Sequence, residues 1–189
     1  MIAKTATKAK PKAKPATSAV TADIQIDSPL WDAQPEAEAT VRAAIAAAAA
    51  TLSTSAGEVS ILLTDDSAVR ELNREWRGLD KPTNVLSFPA PKIPTMAGVA
   101  ASSPALGDIV VAYETLQREC QDEDREFLHH LTHLTVHGFL HLIGYDHQTD
   151  VQADEMEGIE SKIMIAMNLP DPWTTPWLNR DADHQDGGA

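Results

Sequence analysis

The sequence predicts a single α/β (α+β) domain, a small mixed β-sheet of about four strands covered by helices, with a metal site at the end of a central helix. Three observations carry this expectation. Strand-like and helix-like hydrophobic patterns alternate between residues 23 and 170. A chain of 189 residues with 43% hydrophobic content supplies one continuous core. Three histidines, at 137, 141 and 147, cluster around the end of the longest helical pattern. The expected organisation is a disordered Lys/Ala/Pro-rich tail over 1–22, a metal-dependent domain over 23–170 and a polar extension over 171–189.

Taken in order, Ile24 to Ile26 reads as a short first strand. Pro35 to Leu52 is alanine-rich with acidic residues near its start, which favours a helix ending before Gly57. Val59 to Thr64 is apolar and rich in β-branched residues, hence a strand. Asp65 or Asp66 can cap the next helix, which carries Val69, Leu72, Asn73 and Trp76 at helical spacing and turns at Gly78. Asn84 to Phe88 is another strand, closed by prolines at 89, 91 and 94, and residues 90–106 read as a loop poor in charge. Ile109 to Ala112 follows as a strand and Glu114 to Cys120 as a helix. The pattern from Asp124 to Ile143 is a largely buried helix ended by Gly144, and Ala153 to Met167 is the last helix, with Met156, Ile159, Ile163 and Met167 on one side.

Composition narrows the function classes. Cys120 is the only cysteine, so neither an intrachain disulfide nor a thiolate metal cluster can form, and a reducing cytoplasm fits. No stretch approaches the roughly 18 apolar residues of a membrane helix. The formal charge of −13 is uneven: five lysines lie in the first twenty residues, leaving 10 basic against 28 acidic side chains in residues 21–189. Such a body repels polyanions, so nucleic acid must be met by a local basic patch or by the tail. The tail lacks the apolar stretch of a secretory signal and has too few large apolar side chains to order itself.

The chemistry concentrates in HGFLHLIGYDH, residues 137–147. Histidines four apart on a helix project from one face, one turn above each other, and reach a single ion. Gly144 can take the left-handed conformation that reverses the chain and returns His147 as third ligand. Three neutral nitrogens and one open position describe a catalytic zinc site rather than a closed structural one. His129, His133, His137 and His141 share one four-residue register, so His133 with His137 is an alternative pair; proximity to the turn favours His137 with His141. His129 and His130 are then solvated or structural. The same histidine spacing occurs in metzincin proteases, but their glutamate general base would stand at Gly138, which argues against a peptidase.

With this motif, the segment NREWRGLDKPTNVLSFP at 73–89, LGDI at 106–109 and the acidic helix after the histidines, the chain resembles the YbeY family of bacterial metal-dependent endoribonucleases over roughly residues 58–170. The resemblance implies a small α/β fold, one Zn(2+) per chain on His137, His141 and His147, and an important arginine at Arg77. It implies a role in small-subunit (16S) rRNA 3′-end maturation and ribosome quality control. The partners implied are ribosomal RNA together with ribosomal proteins or assembly factors, with no membrane and no organic cofactor. A guanidinium at Arg77 would hold phosphate in bidentate fashion, the alternative being a surface ion pair. Lys81 is a candidate RNA contact or a salt-bridge partner of Asp80, and Asn73, Asp80, Thr83 and Asn84 are loop-shaping residues.

The expected reaction is hydrolysis of phosphodiesters in single-stranded RNA by water that zinc acidifies toward a pKa of about 7, or attack by the RNA 2′-hydroxyl. Asp146 is either the base or a carboxylate that orients a ligand histidine. The competing class is a noncatalytic assembly factor in which zinc ties the last helices together.

Overall fold

The computed structural model of the protein describes residues 20–54, 56–91 and 103–174. Among these, the chain runs β1 (Val20–Ile26), a 3-10 turn (Pro29–Ala33), α1 (Ala37–Thr51), β2 (Gly57–Thr64), α2 (Asp66–Arg77), β3 (Val85–Pro89), β4 (Ala105–Ala112), α3 (Tyr113–Asp122), α4 (Phe127–Leu142) and α5 (Asp150–Ala166). The sheet order is β1-β2-β4-β3. β1 and β2 pair in parallel from Val20 opposite Gly57 to Ile26 opposite Leu63, and β2 is parallel to β4. β3 is the antiparallel edge strand, with Val85 opposite Val111 and Pro89 opposite Gly107. The expected small mixed sheet of four strands covered by helices is therefore what the chain adopts.

Strand alternation divides the core between the two faces. Val59, Ile61 and Leu63 of β2 and Ile109 and Val111 of β4 face α1 and α4. On the opposite face Val69 of α2 packs on Leu86, Val110 and Ala112. Small side chains let α1 approach closely: Ala37, Ala44 and Ala48 are fully buried beside Val41 and Ile45. Asp65 caps α2 by accepting the Ala68 N–H at 3.0 Å, and Gly78 closes it at φ +72°.

Several boundaries differ from those expected. β1 begins at Val20 rather than Ile24, so residues 20–22, read as tail, pair with β2. β4 starts at Ala105, within the segment read as loop. α4 starts at Phe127 rather than Asp124 because Glu126 caps it, accepting the His129 N–H, while Asp124 sits at φ +51°. α5 starts three residues early on a capping box between Thr149 and Gln152. The turn at Pro29–Ala33 was not expected; it buries Trp31, whose indole donates to the Thr64 carbonyl at 2.9 Å and meets Tyr113 and Phe127 edge-on. Residues 1–19, 55, 92–102 and 175–189 lie outside the described residues, and with them most of the expected tail, loop and extension. No helix among the described residues is long and apolar enough to cross a membrane.

α4 is the element that positions the site, and two glycines bring it onto the sheet. A Cβ on Gly138 would lie 3.1 Å from Ile109 Cγ2 and from Ser87 Oγ. At Gly107, φ +138°, a Cβ would meet the Phe88 carbonyl at 2.2 Å and Leu142 Cδ2 at 2.9 Å. The C-terminal end of α4 is thereby laid over the start of β4 and beside β3.

Candidate metal centre

His137 and His141 project one turn apart from the end of α4, and the chain then reverses at Gly144, φ +104°. The reversal is held by Gly144 N–H donating to the His141 carbonyl at 3.1 Å and Tyr145 N–H to the Leu140 carbonyl at 3.0 Å. It returns His147, so that one ring nitrogen from each of His137, His141 and His147 lies within 4.8 Å of the others. His137 and His141 are half-buried and His147 is exposed. Among the described residues these three are the group of side chains arranged to hold a metal ion.

Hydrogen bonding sets the tautomers. His137 Nδ1 is 2.8 Å from Glu160 Oε1, and His141 Nδ1 is 3.0 Å from the Tyr145 carbonyl. A carboxylate and a carbonyl accept, so each Nδ1 carries the proton and each Nε2 presents a lone pair. Yet the two Nε2 atoms are 3.1 Å apart. Two lone pairs at that distance repel unless a cation lies between them. Two nitrogens on a tetrahedral zinc, each about 2.0–2.1 Å from it, would be about 3.3 Å apart. The donor set therefore fits a metal. Burial, reinforced by His137 and His147, holds the His141 pKa below its ordinary value against the bond to Tyr145, which keeps the imidazole neutral and free to ligate.

Glu160, on α5, is the functional residue that sequence reasoning missed. It is fully buried, and it accepts from His137 Nδ1 and also from His133 Nε2 at 3.0 Å. Burial alone would push its carboxyl up, but the hydrogen bonds from the two histidines outweigh that and hold its pKa at about 2. His133 is committed to this carboxylate and lies outside the three-histidine group. His130 is structural too: its Nε2 is 2.8 Å from Glu119, which also accepts from Asn84. His129 lies 3.7 Å from Glu126.

The other expected site residues are placed differently. Asp146 holds no imidazole; its carboxylate accepts from the His147 backbone N–H at 2.9 Å and from the Gln148 side-chain amide at 2.7 Å. Arg77 is the exposed last residue of α2, on the sheet face opposite α4, and it is not among the residues brought together with the histidines. No ion pair among the described residues includes it. Lys81 is exposed and does not pair with Asp80, which instead holds Arg70 in a two-point bond at 2.7 and 2.9 Å. The intervening loop is shaped by buried Asn73, which donates to the Lys81 carbonyl, and by Asn84, which accepts the Val85 N–H.

The Gly138 contacts also explain the missing glutamate of the protease motif. A glutamate side chain in place of Gly138 would have to enter the close packing against Ser87 and Ile109. Gly138→Glu is expected to lower stability by at least about 2 kcal/mol, through overpacking and carboxylate burial, and to create no peptidase. Urea unfolding and a casein digest measure the two parts.

Comparison with known proteins identifies the family. The family model described as Endoribonuclease YbeY matches residues 24–168. An Endoribonuclease YbeY from Nitrobacter hamburgensis is 59% identical over 121 residues, covering 64% of this chain and 63% of that protein. One from Bradyrhizobium sp. is 48% identical over 145 residues, covering 76% and 86%. One from Nitrobacter winogradskyi is 57% identical over 124 residues, covering 65% of each. The matched stretch thus spans a little under two thirds of the length of the two Nitrobacter relatives and more of the Bradyrhizobium one. A solution structure of a Thermotoga maritima protein aligns with 89% of this chain and 100% of that one, at 21% identity and a TM-score of 0.43. A family match over residues 24–168 takes in every strand but the start of β1, every α-helix and all three clustered histidines, and the chain belongs to the Endoribonuclease YbeY family.

Proposed function

We propose that this chain is a zinc-dependent, single-strand-specific endoribonuclease, acting in the cytoplasm in 16S rRNA 3′-end maturation and 70S ribosome quality control. The observation that carries the reading is the pair of Nε2 atoms 3.1 Å apart, with the exposed His147 beside them. His137, His141 and His147 would hold one zinc ion. Bound there, zinc supplies Lewis acidity: it lowers the pKa of water toward about 7 and withdraws charge from a phosphoryl oxygen.

The protein's own part is orientation and charge. Glu160 and the Tyr145 carbonyl keep His137 and His141 in the ligating tautomer, and the turn at Gly144 presents His147. RNA recognition falls to the end of α2. Trp76 is 66% exposed there while its ring leans on Phe88 at 5.7 Å, with Arg74, Arg77 and Lys81 nearby in the chain. An exposed indole flanked by cations stacks a base and neutralises phosphates, and so supplies the local patch that an acidic body needs. Phe88 and Ser87 point to opposite faces of edge strand β3, and Gly138 of α4 packs on Ser87. A strand of RNA crossing that edge would meet the α2 surface before the histidines.

The test is cleavage of single-stranded RNA carrying the small-subunit 3′ region by the zinc-loaded protein, beside the same sequence annealed to its complement. Cutting of the single strand alone, stopped by chelation and restored by zinc, is expected. A protein that binds one zinc and never cuts would favour the assembly-factor reading, in which the ion serves to tie α4 to the turn that follows it.

A further inference from the structure

The chain beyond α5 returns to the metal centre. Asp171 accepts from Ser161 Oγ of α5 at 2.8 Å and from the Trp173 N–H at 3.1 Å, and Arg125 donates to the Pro172 carbonyl at 3.3 Å. This turn lays the Trp173 indole edge-to-face against His133, with centroids 5.5 Å apart, and aims its N–H at Glu160 Oε2, 3.1 Å away. The indole is half-exposed, so it covers the buried carboxylate from the solvent side.

We infer that Trp173 is a positioning residue for the metal centre, which locks Glu160 so that His137 presents its Nε2 lone pair, and that metal binding and docking of the 171–174 turn are thereby coupled. The inference rests on the metal-centre reading and extends it to residues 171–174, which follow α5. An indole N–H can only donate. With Trp173 in place, Glu160 Oε2 accepts from the indole and from His133, which favours the ionised carboxylate and leaves Oε1 as an acceptor for His137. His137 Nδ1 must then be the donor, and its Nε2 the ligand. Without the indole, Oε2 keeps one fixed partner and opens to water, and the hold on His137 loosens.

Outer partners of a metal-bound histidine are worth about 10–100-fold in metal affinity, and Trp173 stands one bond further out than Glu160. Trp173→Phe, which keeps the packing on His133 and removes only the donor, is expected to raise the zinc Kd about three- to tenfold. Glu160→Gln is expected to raise it about 10–100-fold. In the double variant, the Phe substitution should add less than about twofold, because the indole acts through the carboxylate. Reciprocally, the part of the tryptophan emission lost in Trp173→Phe should shift when zinc is added to the wild-type chain.

Zinc titration of the four full-length chains, with circular dichroism on each, reads all of this. A wild-type Kd shared by Trp173→Phe overturns the coupling and leaves the metal centre standing. Equal losses from Trp173→Phe in the wild-type and Glu160→Gln backgrounds overturn it as well, since the indole would then act through general stability. A wild-type chain that binds no zinc removes the metal centre itself, and the coupling with it.

Discussion

His141→Ala is expected to abolish retention of zinc and to lower RNA cleavage by at least about 10³-fold, a barrier increase of about 4 kcal/mol, while the domain stays folded. The substitution deletes a ring whose two nitrogens both serve the site, Nδ1 on the Tyr145 carbonyl and Nε2 facing His137. His137 and His147 would remain, and two imidazoles with solvent hold zinc far less tightly than three. The fold should tolerate the loss because the His141 side chain is half-buried at the surface end of α4, and the α4 core is made by Leu131, Leu134, Phe139 and Leu140. Metal content after gel filtration, circular dichroism and the cleavage assay are the three readings. His129→Ala is the control, since that side chain lies beside Glu126 and away from the cluster, and it should match wild type in all three. Stoichiometric zinc on His141→Ala would remove this residue from the ligand set.

The parts of the site legible in the sequence were those that depend on local spacing. Helical period put His137 over His141, and the need for a left-handed residue put Gly144 at the reversal that brings back His147. The same local logic read the strands, since β-branched runs such as Val59–Thr64 and the caps at Asp65 and Gly78 act within a few residues. Glu160 was illegible for the opposite reason. Its partners, His133 and His137, are 27 and 23 residues away, and only the packing of α5 on α4 joins them. A signal was nonetheless present. Glu160 stands four residues after Met156 and three before Ile163, on the stripe that α5 buries, and a carboxylate on a buried stripe needs partners. The start of α5 could also have been read correctly, because Thr149 and Gln152 have the spacing of a capping box.

The orienting role expected of Asp146 failed on a similar distinction. Adjacency to His147 in sequence puts its carboxylate within reach of N–H groups of its own turn, and those claim it first. The carboxylate that reaches a ring of the three-histidine group comes from another helix. The Lys81 to Asp80 pair failed because Arg70, earlier on α2, offers a planar fork that meets both oxygens of Asp80.

Arg77→Ala is expected to lower cleavage at limiting RNA by about tenfold, through weaker hold on phosphate, with zinc affinity and fold unchanged, a separation that no ligand variant can give. Arg77 is exposed at the end of α2 and is a partner in none of the ion pairs among the described residues, so its removal should move stability by less than about 0.5 kcal/mol. Its neighbours make the position suited to phosphate: Asp80, the nearest acidic residue after it, is already occupied by Arg70, and exposed Trp76 offers a base a stacking surface. Arg77→Lys should recover only part of the rate, because an ammonium supplies charge without the two-point geometry of guanidinium. Single-turnover cleavage, zinc titration and thermal melting separate these effects. If Arg77→Ala cuts at the wild-type rate, phosphate is held by other residues. If both it and the wild type bind zinc and neither cuts, the assembly-factor reading gains, and Arg77 and Trp76 would then be read as a surface that docks RNA without breaking it.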